Sequence, residues 1–463
     1  MSQLGLYATA LPGSSSLQGP PSLDEFVDYL ISETTDTTSF VAQLKNSSIK
    51  DTRDSFLTAK LSNGKDPLSV LDPERHTIGY LYILCARLHQ NSQVPPSTEA
   101  IEEFCRRFNS QHARLVPEKV TTLAKGIVGL ARKLENPKLA LRLLHGLVTR
   151  YPISPAHLTT LHPIFLTLCV ATQHFTAALS VLETPITTID MSLSDLTYND
   201  NLVYHYAGGV ALGALKRWRE AEEFLEICAS SPAQVPAALQ MEASKKLVLI
   251  QLILYGMTVP PPKYTNPVLQ RLLKSSPYGA FIKSYPQQRS QLLKVIEKDV
   301  ETFTNVVDGL RTQPGSQEKN LGLVRQTIDR APRWLIRKLT ATYLTMGLAD
   351  IAKEVGIETD DEVRAIILDM IDSGDINASI SADGTVTFAD QLPQISKADV
   401  DRLLKQAQEQ SRMLLEMERS MNSNKDYLNK AIKYKEEAGW GVDDDMFSST
   451  AAQTGWVEES VFT

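Results

Sequence analysis

Three short stretches of this chain repeat one small–large pattern, in order, and that repeat restricts the fold more than any other feature. Pro137-Lys-Leu-Ala140-Leu-Arg-Leu143-Leu144 is matched by Phe175-Thr-Ala-Ala178-Leu-Ser-Val181-Leu182 and by Trp218-Arg-Glu-Ala221-Glu-Glu-Phe224-Leu225. A degenerate earlier copy is Ala100-Ile-Glu-Glu103-Phe104, so the alanines stand 40, 38 and 43 residues apart. A small residue lets a neighbouring helix approach, and two large residues three and four positions later fill the gap beside it. A period near 40 is that of stacked helical hairpins of the TPR or HEAT kind. From residue 22 to 310 apolar residues recur at three and four positions, and no strand alternation is evident. This stretch is expected to form a mostly α, helical-repeat array. Residues 1–21, rich in Gly, Ser and Pro, are expected to be a disordered N-terminus.

A polar break at 311–320 (RTQPGSQEKN) ends the array, and the character then changes. Pro332 to Leu344 is expected to be a helix opened by its proline, and Leu348 to Val355 a second one stopped by Gly356. Thr359-Asp-Asp-Glu362 has the form of a capping box for a third helix carrying Val363, Ile366, Ile367, Met370 and Ile371. Ser373-Gly374 closes it. Ile376, Ala378 and Ile380 then alternate with period two, Asp383-Gly384 makes a tight turn, and Val386 and Phe388 alternate on the return strand. Three helices and a two-stranded hairpin make a winged-helix subdomain, placed at 321–391.

In a winged helix that binds DNA, the second helix of the helix-turn-helix enters the major groove. Between Gly347 and Gln391 there are eleven Asp or Glu against Lys353 and Arg364 alone, a net charge of −9. Such a face repels phosphate, and the sequence therefore predicts no nucleic-acid binding through it. A hairpin has unpaired backbone edges, which suit sheet extension across subunits instead. Ile376, Ala378, Ile380, Val386 and Phe388 are the candidate interface residues there. Arg330, Arg333, Arg337 and Lys338, on the preceding helix, form either a solvated basic face or a contact for an acidic partner.

The segment 397–436 is expected to be one long, charged helix. Val400, Ala407, Leu414, Met421 and Leu428 share a seam at seven-residue spacing, with Leu403, Met417 and Ala431 between them and polar Gln410 and Asn424 completing the set. A narrow apolar stripe of this kind requires a partner helix. The candidate contact residues are Val400, Leu403, Ala407, Leu414, Met417, Met421 and Leu428. The acidic tail 437–463 is expected to be disordered, with Trp440, Phe447, Trp456 and Phe462 available for docking.

No motif for chemistry accompanies this framework. Cys85, Cys105, Cys169 and Cys228 are far apart, so they are expected to be buried apolar residues in a reducing compartment. His157 and His162 are five apart with no HExxH pattern, and no pair of His is separated by one residue. Walker A, GxGxxG and GxSxG patterns are absent, so no catalytic, metal or cofactor site is predicted. Gly126, Gly129, Gly208 and Gly209 lie in helical text and are expected to serve close helix packing. The net charge of −7 favours neither nucleic acid nor anionic membrane. The start of the chain lacks the pattern of a signal peptide, which predicts a soluble, intracellular protein.

Helical repeats, a winged helix and a C-terminal helix, in that order, resemble the PCI family. The stretches Leu321-Gly-Leu-Val-Arg-Gln326, Ile336-Arg-Lys-Leu-Thr-Ala-Thr-Tyr-Leu-Thr345 and Ile371-Asp-Ser-Gly-Asp-Ile-Asn-Ala-Ser-Ile380 carry the likeness, with Asp350-Ile-Ala352 and Asp383-Gly-Thr-Val-Thr-Phe388. Upstream, Ile78-Gly-Tyr-Leu-Tyr82 and Leu158-Thr-Thr-Leu-His-Pro163 narrow it to the subunit 3 family of the COP9 signalosome. The resemblance implies a non-catalytic scaffold in a hetero-oligomer of PCI and MPN subunits. That complex removes Nedd8 from cullin–RING ligases with a metalloprotease site on an MPN-type subunit. PCI subunits of the proteasome lid or of a translation initiation factor are the alternative.

Overall fold

The computed structural model describes residues 23–32, 57–88, 95–297, 320–389 and 396–438. The expected disordered N-terminus 1–21, nearly all of the polar break and the acidic tail from 439 lie outside them. The fold is mostly α, as the sequence predicts, with a helical-repeat array followed by a winged helix.

Three helical hairpins carry the repeat: Pro117–Lys133 with Pro137–Arg150, Leu161–Ala171 with Phe175–Leu182, and Tyr198–Ala214 with Trp218–Ser230. Their alanines Ala140, Ala178 and Ala221 are all fully buried, with Leu143, Leu144, Val181, Leu182 and Leu225 beside them. The turns match as well. Glu135, Gln173 and Lys216 each take a left-handed backbone, at φ of 51°, 58° and 61°. The next residue donates its N–H to the carbonyl five positions back: Asn136 to Ala131 at 3.0 Å, His174 to Cys169 at 2.9 Å, Arg217 to Leu212 at 3.0 Å. This is a Schellman closure made three times without glycine. Lacking glycine, it left no mark for a sequence search.

The N-termini follow local chemistry. Asn136 caps the helix after it through Leu139 N–H, with Pro137 in the first turn, and Thr197 and Asp200 form a reciprocal capping box. Gly208 and Gly209 pack as expected: a Cβ would come within 2.7 Å of Phe224 and 2.6 Å of Leu225. Gly126 faces Leu88 in the same way, whereas Gly129 faces open space. One small strand pair was not foreseen. His157–Leu158 runs parallel to Thr188–Ile189.

The Leu158-Thr-Thr-Leu-His-Pro163 stretch is a buried polar clamp. Thr160 Oγ1 lies 2.6 Å from Thr121 and 3.0 Å from Ser194, and Thr121 donates to Asp195 at 2.5 Å. Helix 117–133, the strand turn and the loop before residue 198 are thereby joined. His162 Nδ1 accepts from Thr159 N–H at 3.1 Å, and burial pulls the imidazole down to about 4. It is the satisfied core histidine that its apolar setting suggests. All four cysteines are buried thiols in no disulfide, and desolvation pushes Cys105, Cys169 and Cys228 up to about 12.

The helix opening the winged unit differs from expectation. It runs from Leu321 to Thr340 with Pro332 inside it, not at its start. An interior proline costs about 3 kcal/mol, so the helix must be held from both sides. It is: Val324, Ile328 and Ala331 pack with Leu249, Leu252, Tyr278 and Phe281 at the end of the array, while Ile336 belongs to the winged-helix core. Gly256 ends the helix Ala238–Tyr255 at φ +73°, where a Cβ would strike the Trp334 ring at 2.7 Å. The long helix ends at Thr340, short of the expected Leu344, and Thr345–Gly347, between the two expected helices, forms an unforeseen strand.

Candidate interaction surfaces

The winged unit is therefore the long helix, a strand, helices Leu348–Val355 and Asp360–Asp372, and the hairpin Asn377–Ile380 with Thr385–Ala389. Its sheet has three strands, not two. Thr345–Gly347 pairs antiparallel with Thr385–Ala389, which is central, and Asn377–Ile380 lies at one edge. Gly356, Gly374 and Gly384 all take left-handed φ, as their stop and turn positions require. The expected capping box is not formed, because the Thr359 side chain makes no cap bond. Asp360, Asp361 and Glu362 instead favour that terminus through the helix dipole.

Period-two alternation correctly separated the hairpin's faces, and the structure determines which face is which. Ile376, Val386 and Phe388 are at most 5% exposed and lie in the winged-helix core with Ile351, Val363 and Ile367. Ala378 and Ile380 are half-buried against that same core. What the hairpin offers outward is the backbone edge of 377–380 and the exposed Asn377 and Ser379.

The basic set before the hairpin needs correction too. Arg333 pairs with Asp369 and, at 3.1 Å, with Asp375, which Arg330 also meets at 3.3 Å. These cations tie the long helix to the third helix and the turn after it. Burial and the neighbouring Arg333 charge hold Arg330 below the usual guanidinium range. Arg337 stands over the Trp334 ring at 5.5 Å, and Lys338 is exposed. Only the last two remain for a partner.

The C-terminal segment is two helices, Lys397–Ser423 and Lys425–Ala438, where one was expected. Asn424, extended at ψ 113°, accepts from the N–H groups of Asp426 and Tyr427. An asparagine that caps the next helix breaks the present one. Leu428 therefore lies beyond a break and does not continue the seam of Val400, Ala407, Leu414 and Met421. No residue of the first helix is buried. Val400, Leu403, Leu414, Met417 and Met421 are 42–65% exposed, and Ala407 is exposed as well. Leu404 and Leu415, overlooked in the seven-residue pattern, are also exposed and widen the apolar stripe to about 160° of the helix surface. The signal available was the four-residue spacing of Leu404 from Val400 and the eleven residues, about three turns, from Leu404 to Leu415. An exposed apolar face of this width is a candidate contact surface.

Among the described residues no His, Cys, Asp or Glu cluster could hold a metal, and no helix is long and apolar enough to cross a membrane. Helical repeats running into an acidic winged helix define a PCI-type protein. The model of the N-terminal helical repeats of COP9 signalosome complex subunit 3 matches residues 39–269, and the PCI domain model matches 306–390. COP9 signalosome complex subunit 3 of Dictyostelium discoideum is 28% identical over 381 residues, covering 80% of this chain and 88% of that protein. Its Drosophila melanogaster counterpart is 27% identical over 414 residues, covering 84% and 88%. The chain belongs to the COP9 signalosome subunit 3 family.

Proposed function

We propose that this chain is a non-catalytic scaffold subunit of the COP9 signalosome, the assembly that removes Nedd8 from cullin–RING ubiquitin ligases. Its direct partners are other PCI and MPN subunits, neddylated cullin–RING ligases are reached only through the complex, and the site of work is cytoplasm and nucleus. It takes no cofactor and binds neither nucleic acid nor membrane. The metalloprotease site belongs to an MPN-type subunit.

The observation that carries this reading is the wholly exposed apolar stripe Val400, Leu403, Ala407, Leu414, Met417 and Met421, now joined by Leu404 and Leu415, on a chain of the subunit 3 family. Leu428, past the Asn424 break, contributes from a separate helix. The second contact is the sheet edge at 377–380, which pairs through backbone while Ile376, Val386 and Phe388 hold the hairpin in place. The domain plan that goes with it is an array at 22–310, a winged helix at 321–391 and C-terminal helices at 397–436.

Affinity purification of the tagged full chain tests it. Recovery of PCI and MPN-type subunits with Nedd8-removing activity is the expected result. Leu414→Glu with Met421→Glu should lose those subunits while leaving the far-ultraviolet spectrum intact, because both side chains are already in water. Recovery of proteasome-lid or initiation-factor subunits would refute the assignment.

A further inference from the structure

Charge is unevenly spread along this chain. Residues 106–150 contain ten Arg or Lys against Glu118 and Glu135, a net of +8, while the whole chain carries −7. Everything outside that window therefore sums to −15. Five of the ten cations are engaged. Arg107 pairs with Glu103 and Asp72, Arg114 donates to the Tyr151 and Pro152 carbonyls, and Arg142 meets Glu102 at 2.8 Å. Lys119 and Arg150 stand over the Tyr82 and Phe108 rings. The other five, Arg106, Lys125, Arg132, Lys133 and Lys138, are exposed and have no partner among the described residues.

Their placement is not what helix stability alone would select. Arg132 and Lys133 close helix Pro117–Lys133, where the dipole favours cations. Lys138 is the second residue of helix Pro137–Arg150, where the dipole opposes a cation, and no acid in that turn relieves it. A three-residue turn brings the three cations to one end of the hairpin, with half-exposed Leu134 and exposed Glu135 among them, so the corner carries a net +2. Lys125 lies two turns before Arg132 on the same helix face. Arg142, one turn past Lys138, is held by an exposed ion pair that solvent already weakens.

We propose that this hairpin corner, centred on Arg132, Lys133 and Lys138, docks an acidic peptide segment of a partner protein. Charge complementarity selects the class of ligand, and Leu134 supplies an apolar contact between the cations. A short acidic peptide meets the patch alone. A long nucleic acid would run on beyond the patch onto a chain whose remainder sums to −15, and be repelled.

The test uses the full chain and a fluorescein-labelled deca-glutamate peptide, read by anisotropy. Wild type should bind it, and binding should weaken as salt rises from about 50 to about 200 mM. Arg132→Glu, Lys133→Glu and Lys138→Glu together should weaken it about tenfold or more, with an unchanged circular dichroism spectrum. A control triple at exposed cations elsewhere, Lys263→Glu, Lys274→Glu and Lys294→Glu, should bind within about twofold of wild type. Equal loss in the control would overturn the proposal, since only net charge would then matter. No binding by wild type would also overturn it. So would an oligonucleotide of equal charge that binds more tightly than the peptide and is lost in the first triple, because the surface would then be a nucleic-acid site.

Discussion

Gly209 and Gly129 are both helical glycines on repeat hairpins, and the same substitution should have opposite signs at the two. Glycine inside a helix is less favourable than alanine by about 0.8–1.0 kcal/mol, so Gly→Ala gains that much wherever the new methyl fits. At Gly129 nothing lies within 4 Å of the added Cβ. Gly129→Ala should therefore stabilise by about 0.5–1 kcal/mol. At Gly209 the Cβ would stand 2.6 Å from Leu225 Cγ, 2.9 Å from its Cδ2 and 3.4 Å from the Ala221 carbonyl. Leu225 is fully buried, and its branching carbon is the atom struck, so the whole side chain must shift. Overpacking of that kind costs about 1–3 kcal/mol, which outweighs the propensity gain and leaves Gly209→Ala destabilised by up to about 2 kcal/mol. A repeat array need not unfold in one step, so the assay should be local as well as global. Thermal unfolding of the full chain gives the sign. Amide exchange in Tyr198–Ala214 and Trp218–Ser230 shows where the loss falls. A Gly209→Ala protein as stable as wild type, or one destabilised equally with Gly129→Ala, would refute the reasoning from helix approach.

Two other predictions use the same framework. Lys216 holds a left-handed turn at φ +61° without the freedom of glycine, so Lys216→Gly should raise the urea midpoint by a change worth about 0.5–1 kcal/mol; a lower midpoint would mean that its side chain matters more than its backbone. His162 is buried with its folded value lowered from 6.5 to about 4, so between those values the unfolded chain binds more protons than the folded one. Its contribution is thus complete above pH 6.5 and lost as pH falls through about 4, and His162→Gln should flatten the pH dependence of the urea midpoint across that window. An unchanged slope would assign that dependence to other groups.

How much was legible in the sequence follows from the range of each interaction. The repeat, the helix stops, the hairpin and the apolar stripe at 400–421 are local patterns, set by residues within a turn or two of one another. Pro332 misled because a proline can open a helix or sit inside one, and only the two cores holding Leu321–Thr340 decide which. The Asn424 break was written in the sequence, since an asparagine followed by Lys-Asp-Tyr can cap a new helix, but a regular seven-residue seam hid it.

What the amino-acid order determined by itself was therefore the kind of elements and their succession: helical hairpins at a period near 40, an acidic winged helix, and a helix with an apolar stripe along one face. Tertiary structure alone decided which of these features were already in use. Arg330 and Arg333 are bound to Asp375, some 42–45 residues away, and Ile376, Val386 and Phe388 are turned inward on helices up to about 50 residues upstream. Leu225 fills the space beside Gly209 while nothing fills it beside Gly129. Periodicity tells which side chains share a face, because backbone geometry repeats locally. What that face meets depends on contacts between distant segments, which no local pattern encodes.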